Sequence, residues 1–215
     1  MRLLYIGISG LLAWASSVFA QTIFNFDELP LGPLAPPWLS GVTGRGFSKW
    51  EVVADELPSS KHHMLKQSGE AKFVWAVKTD LKIRNGFAEA KFKALAGHED
   101  QAGGLVWRWI DADNYYVVRG NALEGNVVLY KTERGERTAL SVKGRLFGYG
   151  VDADLQSEKW NALRVEFTDK LFTVFFNGKQ LFQVEDDTFK EAGAVGLWTK
   201  ADSVTVFDQF TYGEK

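Results

Sequence analysis

Short apolar and aromatic runs, separated by Gly, Asp and Asn, recur along most of the chain. From Leu163 to Thr168 apolar and polar side chains alternate, which is the period of a β-strand with one buried face. Asn177 and Gly178 separate two such runs, and this dipeptide is a strong signal for a tight β-hairpin. We therefore expect an all-β fold, an antiparallel β-sandwich. The runs that predict strands are Trp50 to Ala54, Phe73 to Val77, Gly86 to Ala94, Gly103 to Trp109, Asn114 to Arg119, Asn126 to Thr132, Trp160 to Thr168, Leu171 to Asn177, Lys179 to Val184, Ala194 to Thr199 and Val204 to Thr211.

The segment from Gln21 to Trp50 has a different character. Four of the five prolines of the chain lie in it. Proline fixes φ and has no N–H to donate, so it disfavours the interior of a sheet. The pattern predicts a short strand at Ile23 to Phe26 and then an extended, irregular stretch. The only helical turn that the sequence favours lies near Asp187 to Glu191.

The segment from Met1 to Ala20 does not belong to the strand pattern. Its one charged side chain is Arg2, followed by an apolar stretch and a small-residue end at Ala20. This is typical of a secretory signal peptide that is cleaved before Gln21. We expect a secreted or periplasmic protein in which residues 21–215 form a single domain. No later apolar run approaches the roughly 20 residues of a membrane span, so we expect no membrane anchor.

Composition and charge narrow the function classes. The chain is 46% hydrophobic and 24% charged, as globular proteins are. Without Arg2 it has 24 basic and 27 acidic side chains, a formal charge of −3, which argues against a nucleic acid or an anionic membrane as partner. There is no cysteine, so disulfides, thiolate nucleophiles and cysteine-ligated zinc are excluded. No nucleotide motif occurs, and we expect no cofactor to be required.

Four segments together resemble a known superfamily: Asp100 to Arg119, Lys179 to Val184, Gly193 to Trp198 and Val204 to Phe210. They are similar to the concanavalin A-like lectin/glucanase superfamily, and more closely to its bacterial secreted laminin-G-like and 3-keto-disaccharide-hydrolase (DUF1080) proteins. The resemblance extends over roughly Phe24 to Tyr212 and implies a concanavalin A-like sandwich, a jelly roll, with a hairpin turn at Asp111 to Asn114. The superfamily includes lectins, carbohydrate-binding modules, glycoside hydrolases and proteins with no assigned activity, so the fold alone does not choose a function.

Arg108 and Arg119 are candidate site residues. Counting by two along each predicted strand places Arg108 on the face of Val106, opposite Trp107 and Trp109. A hairpin would then bring the two arginines close together on the sheet. Two guanidinium groups there need acceptors. These are either the oxygens of a bound sugar or, in a structural ion-pair network, the carboxylates of Glu89, Glu124, Glu166 or Asp202.

Tryptophans and a polar connection complete the predicted site. The apolar face of a sugar ring stacks on an indole, and charged groups stand near Trp107 and Trp198 in the sequence. The connection after Arg119 concentrates polar side chains where a rigid sandwich often presents binding groups. The predicted ligand-binding residues are Trp107, Arg108, Arg119, Asn121, Glu124, Trp198, Lys200 and Asp202.

Two pairs of acidic residues resemble known catalytic or metal sites. The glucanases carry two glutamates on one strand, and Glu185 and Glu191 match the longer of their spacings, although Asp186 stands where an apolar residue is expected. Asp27 and Asp208 resemble positions where related sandwiches hold a structural calcium ion. Zinc is disfavoured because no His-x-His or His-Glu-x-x-His spacing occurs.

The leading hypothesis is a carbohydrate-binding protein that recognises a poly- or oligosaccharide. The first alternative is an enzyme, a glycoside hydrolase or a 3-keto-glycoside-cleaving protein, which needs a carboxylate free to act near the arginines. The second is a laminin-G-like protein-interaction module, which would expose an apolar patch. Carboxylates bound to the arginines would favour binding over catalysis. The sequence does not define the oligomeric state.

Overall fold

The computed structural model describes residues 20–55, 62–145 and 148–215. The predicted signal peptide therefore lies outside the described residues except for Ala20, with which the first strand begins. The strands are β1 (Ala20–Phe24), β2 (Gly32–Pro33), β3 (Trp38–Gly46), β4 (Trp50–Ala54), β5 (His63–Gln67), β6 (Ala71–Ile83), β7 (Gly86–Ala96), β8 (Ala102–Asp111), β9 (Asn114–Asn121), β10 (Asn126–Glu133), β11 (Glu136–Ala139), β12 (Val151–Asp152), β13 (Asn161–Thr168), β14 (Leu171–Phe176), β15 (Lys179–Glu185), β16 (Gly193–Ala201) and β17 (Val204–Glu214).

These strands form two antiparallel sheets that pack face to face, as the all-β prediction requires. The nine-stranded sheet has the order β15-β14-β13-β7-β17-β5-β4-β2, with β1 also paired to β17. The eight-stranded sheet has the order β11-β10-β9-β8-β16-β6-β3, with β12 paired to β10. None of the described residues is helical, so the helical turn predicted near Asp187 to Glu191 is wrong. That segment is instead a non-helical connection between β15 and β16.

Both predicted hairpin turns are confirmed, one from the local Asn-Gly signal and one from the superfamily resemblance. Asn177 and Gly178 form the turn between β14 and β15, and Asn177 has the positive φ of 48° that this dipeptide tolerates. Asp111 pairs with Asn114 at the turn from β8 to β9. The irregular lead-in was predicted wrongly, because the nine-residue strand β3 lies within it. Since β3 is an edge strand, the prolines that precede it do not prevent pairing.

The main core lies between the sheets and is rich in aromatic side chains. Trp107 is at its centre, stacked on Tyr116 and Phe167 at centroid distances of 5.4 and 6.0 Å. Phe172 meets the same indole edge-on at 5.3 Å. Each fully buried aromatic side chain contributes roughly 2–3 kcal/mol through removal from water. A chain without disulfides depends on this burial.

The eight-stranded sheet is strongly curled and encloses a second apolar cluster on the face turned away from the main core. Arg137 of β11 lies over the ring of Phe73 of β6, although four strands separate β11 from β6 in the sheet order. Thr43 of β3 likewise hydrogen-bonds to Tyr115 of β9 at 2.9 Å. We call this group the outer-face cluster; it consists mainly of Phe73, Trp75, Val77, Val106, Tyr115, Val117, Val128, Tyr130 and Trp198.

Candidate functional site

A β-bulge overturns the predicted position of Arg108. The register between β8 and β9 shifts between Trp107 and Asp111, and Arg108 has a φ of 46°. A bulge of this kind changes the direction of a side chain and interrupts the alternation of faces. Trp107 and Arg108 consequently both point into the sandwich, while Trp109 packs on Trp75 of the outer-face cluster. Counting by two fails at this point.

Arg108 is a buried structural residue that holds one end of the sandwich together. Its Nη1 donates to the carbonyl oxygen of Phe189 at 2.8 Å, and its Nη2 donates to that of Asp169 at 2.7 Å. Its Nε donates to the carbonyl oxygen of Arg84 at 3.0 Å. Burial lowers the pKa of the Arg108 guanidinium from its ordinary value. The structure therefore corrects the assignment of Arg108 and Trp107 as ligand groups, because both are enclosed.

Arg119 does lie on the outer face, in the same cross-strand row as Gly104 of β8 and Val128 of β10. Its Nη2 donates to Glu124 Oε2 at 2.7 Å and to the hydroxyl of Tyr130 at 3.0 Å. Its Nη1 donates to both the side-chain and the backbone oxygen of Asn126. The Arg119 side chain itself is 0% exposed. It supports its neighbours and does not face solvent.

A chain of polar side chains leads from Arg119 to Lys200. Glu124 accepts a hydrogen bond from Asn121 Nδ2 at 2.9 Å, and the same amide donates to Asp100 Oδ1 at 2.5 Å. The second oxygen of Asp100 lies 2.7 Å from Lys200 Nζ. A cation thus stands at each end, and the amide of Asn121 bridges the two carboxylates between them. We call these five residues the polar chain.

The pKa values at the Arg119 end of the polar chain favour the charged forms. Burial alone would lower the pKa of Arg119, but Tyr130, Glu124 and Tyr149 hold it above its ordinary value. Burial would likewise raise the pKa of Glu124, yet Arg119 and Asn121 hold it below the usual range. Glu124 is therefore a carboxylate at neutral pH. A glycosidase acid instead needs a raised pKa.

Asp202 has a structural contact of its own. Its carboxylate accepts hydrogen bonds from the backbone N–H groups of His98, Glu99 and Asp100, at 2.6, 3.1 and 3.1 Å. Burial would raise the pKa of Asp202, but these three donors hold it below the ordinary value. Asp202 thereby fixes the loop that carries Asp100 at the end of the polar chain.

A cleft of about 620 Å³ opens beside Lys200. We call it the outer-face cleft. Trp198, predicted as a stacking residue, is on the same face but is 0% exposed, because Phe73 covers it at a centroid distance of 5.6 Å. The exposed aromatic side chain is Phe47, at 60%. The cleft is lined mainly by Arg45, Phe47, Lys72, Glu99, Arg137 and Lys200.

A second cleft, of about 370 Å³, lies on the nine-stranded sheet. Trp160 is 41% exposed there, and the ammonium group of Lys93 lies 5.2 Å from its ring centroid. Asn177 and Asp208 also line this cleft. An exposed indole beside amide and charged groups suits a sugar ring. We call it the Trp160 cleft.

The other candidate carboxylates are all engaged by cations or lie apart from a cleft. Glu89 and Glu166 bind Arg164, at 3.0 and 2.9 Å, and neither contacts Arg119. Glu185 contacts Lys143 and Lys170, at 2.6 and 3.2 Å, and the hydrogen bond from Lys143 lowers its pKa.

The match to the glucanase pattern is an accident of spacing. The strand β15 ends at Glu185, so Glu191 is not on it. Glu185 and Glu191 are therefore not a pair on one strand.

Asp27 and Asp208 come together, but around an imidazole. His62 Nδ1 lies 2.9 Å from Asp27 Oδ1, and His62 Nε2 lies 3.2 Å from Asp208 Oδ2. Calcium takes six to eight oxygen ligands, and a ring between two carboxylates does not fit that requirement. Across the ranges that the structure describes, no cluster of three or more His, Asp or Glu side chains is arranged to hold a metal ion. The described residues also contain no helix long and apolar enough to cross a membrane.

Of the eight predicted site residues, the structure brings four into the polar chain, Arg119, Asn121, Glu124 and Lys200, and places Asp202 and Trp198 beside it. Sequence reasoning missed several residues. Trp160 had a detectable signal, because it directly precedes a strand at the end of a polar stretch. The others gave none that the sequence pattern could reveal. They are Phe47, Asp100, Arg137 and Tyr149.

Comparison with solved structures supports the same architecture. The chain is similar to the carbohydrate binding module CBM66 from Bacillus subtilis, with a TM-score of 0.64, 19% identity, and coverage of 86% of this chain and 99% of that one. It is also similar to a cellulose induced protein, with a TM-score of 0.58, 12% identity and coverage of 83% and 92%. The third similar structure is a β-1,3-1,4-glucanase (lichenase) derived from a mouse hindgut metagenome, with a TM-score of 0.55, 12% identity, and coverage of 91% of this chain and 99% of that one.

At these identities the likeness establishes the fold and no more. The protein is a concanavalin A-like antiparallel β-sandwich of the jelly-roll type, as the sequence predicted. No protein-family model and no curated protein sequence matches the chain.

Proposed function

We propose that this protein binds a poly- or oligosaccharide in the outer-face cleft without cleaving it. The observation that carries the proposal is the lining of this cleft, where the exposed ring of Phe47 stands beside cationic side chains. The carboxylates considered as partners of the arginines lie outside it and are engaged elsewhere. Glu124, Glu89 and Asp202 are each bound to a guanidinium group or to backbone N–H groups. A general acid or nucleophile needs a carboxylate that can reach the glycosidic bond with a pKa suited to its task. The cleft instead offers an aromatic side chain and fixed donors.

The polar chain preorganises the cleft by fixing the position of Lys200. Lys200 reaches the cleft from β16, and its position is fixed by Asp100, which is in turn fixed by Asn121. Phe47 at the rim supplies an apolar surface on which a sugar ring can stack. Arg119 lies at the buried end and preorganises the rest. Preorganised donors reduce the entropy that a ligand loses on binding.

The neighbouring folds are consistent with this proposal. One of the similar structures is described as a carbohydrate binding module, and another as a glucanase. A role outside the cytoplasm, in the periplasm or after secretion, follows from the signal peptide predicted for Met1 to Ala20. The closer resemblance to laminin-G-like and 3-keto-disaccharide-hydrolase proteins belongs to the same proposal and adds the enzyme as its alternative.

A glycan array followed by product analysis tests the proposal. We expect the mature chain, residues 21–215, to bind at least one class of poly- or oligosaccharide and to leave it intact after prolonged incubation. New reducing ends or a released 3-keto sugar would favour the enzyme. No binding to any saccharide, with folded protein confirmed by circular dichroism, would refute the proposal.

A further inference from the structure

Arg137 differs from the other guanidinium groups that lie against the protein. Arg108 donates to carbonyl oxygens, Arg119 to Glu124 and Arg164 to Glu89. The Arg137 guanidinium has no oxygen acceptor among the described residues, and its Nη1 is shielded from water without a partner. Arg119 also has one buried nitrogen without a partner, Nε, but its other nitrogens donate to oxygens, whereas Arg137 has no oxygen acceptor in the described part of the chain.

The position of Arg137 is fixed by three aromatic rings. Its guanidinium carbon lies 4.2 Å from the ring centroid of Tyr130, 4.5 Å from that of Phe73 and 5.6 Å from that of Trp198. Cation–π contacts hold the planar group in place but satisfy none of its in-plane donors. Arg137 also lines the outer-face cleft. Its Nε and Nη2, which have no acceptor among the described residues, are therefore the donors that a ligand in the cleft can engage.

Two further cations, Arg45 and Lys72, line the cleft. Arg45 is exposed, and Lys72 is 4.0 Å from the exposed Glu136. Two acidic residues, Glu70 and Glu99, also line the cleft, so its charge is mixed. The discriminating feature is consequently the geometry of Arg137 rather than the overall charge.

We propose that Arg137 binds the carboxylate of an acidic sugar, a uronic acid residue within the saccharide. A guanidinium group forms two parallel hydrogen bonds with a carboxylate, and this fit is better than with a single hydroxyl. This inference rests on the proposed function, since it names the class of saccharide that the same cleft takes. Neutral rings of the saccharide would then contact Phe47.

The test compares free and esterified uronic acids. Calorimetry would measure the binding of oligogalacturonate and oligoglucuronate and of their methyl esters, which keep the size but lose the charge. We expect the free acids to bind at least roughly tenfold more tightly than the esters, a difference of about 1.4 kcal/mol. We expect Arg137→Gln to abolish this preference for the free acid. Arg137→Lys keeps the charge but not the paired donors, so it should retain the preference only in part. Arg134→Gln, in the same β10–β11 hairpin, is the matched control and should keep it.

The outcomes separate this inference from the proposed function. Binding of neutral glycans alone, or equal affinity for acid and ester, would overturn the role of Arg137 and leave carbohydrate binding intact. If Arg137→Gln still prefers the free acid, another residue recognises the carboxylate, and the inference is overturned. No binding to any glycan would refute both the role of Arg137 and the proposed carbohydrate binding. If Arg137→Gln fails to fold, Arg137→Lys takes its place, and an undiminished preference for the free acid in that variant would overturn the inference.

Discussion

Replacing Arg119 by alanine removes the cation that anchors the polar chain. The wild-type side chain is completely buried and donates to Glu124, Asn126 and Tyr130. Alanine leaves the Glu124 carboxylate without its charge partner and leaves space beneath Tyr149. Asn121 would still donate to Glu124. The change therefore isolates the contribution of the guanidinium.

The expected loss of stability follows from the burial of the Arg119–Glu124 ion pair. Removing one member of a buried ion pair costs about 3–5 kcal/mol. Glu124 is 33% exposed and can partly regain water, so we expect a loss of about 2–4 kcal/mol in the free energy of unfolding at pH 7. For a chain of this size that corresponds to a drop in Tm of roughly 5–15 °C. Arg119→Lys keeps the charge but not the paired donors, and we expect about half the loss.

Urea and thermal unfolding measure this effect, and their pH dependence provides a second test. The pKa of Glu124 is lower in the folded protein than in the unfolded chain. Its ionised form therefore stabilises the fold above about pH 4.5, and this contribution disappears as the pH falls through the folded-state pKa. Arg119→Ala should weaken that acid dependence. Unchanged stability would refute the structural role of Arg119. A loss of glycan affinity in protein that folds as well as wild type would show that Arg119 contacts the ligand instead.

Two further substitutions test residues outside the cleft. Arg108→Ala should cost about 3–5 kcal/mol, because three backbone carbonyls lose their donor and a cavity remains; chemical denaturation measures it, and glycan affinity should be unchanged. Asp202→Asn should cost about 1 kcal/mol at pH 7, since the charged acceptor of three N–H groups is lost. Because the pKa of Asp202 is lowered, the difference between this variant and wild type should shrink below about pH 4 and vanish once the pH has fallen through the folded-state pKa. A constant difference down to pH 2 would contradict that reasoning.

The parts of the fold that could be predicted are those with local causes. The Asn177–Gly178 hairpin follows from residues that are adjacent in the chain, and the turn at Asp111 to Asn114 was implied by the superfamily resemblance. The alternation from Leu163 to Thr168 is that of β13, whose burial pattern alternates strictly. In contrast, β3 was missed because nearby prolines dominate its local pattern, whereas its pairing with β6 is a long-range contact.

The site depends on contacts that the sequence pattern does not contain. Arg108 was misplaced because a bulge with a φ of 46° changes the direction of its side chain. Trp198 is on the predicted face, but Phe73 of the neighbouring strand β6 covers it, and the curl of the eight-stranded sheet brings Arg137 over it as well. Arg137 itself stands in a four-residue edge strand without a clear period. Its significance appears only when strands from distant parts of the chain meet.

The most direct test of the central claim is to locate a bound saccharide by two matched substitutions. Phe47 and Trp160 are exposed aromatic residues in the outer-face cleft and the Trp160 cleft, respectively. Calorimetry would measure the affinity of each alanine variant for the tightest oligosaccharide of the array. We expect Phe47→Ala to weaken binding by roughly tenfold or more, about 1.4 kcal/mol, and Trp160→Ala to leave it unchanged. The reverse result would contradict the account and place the sugar on the nine-stranded sheet.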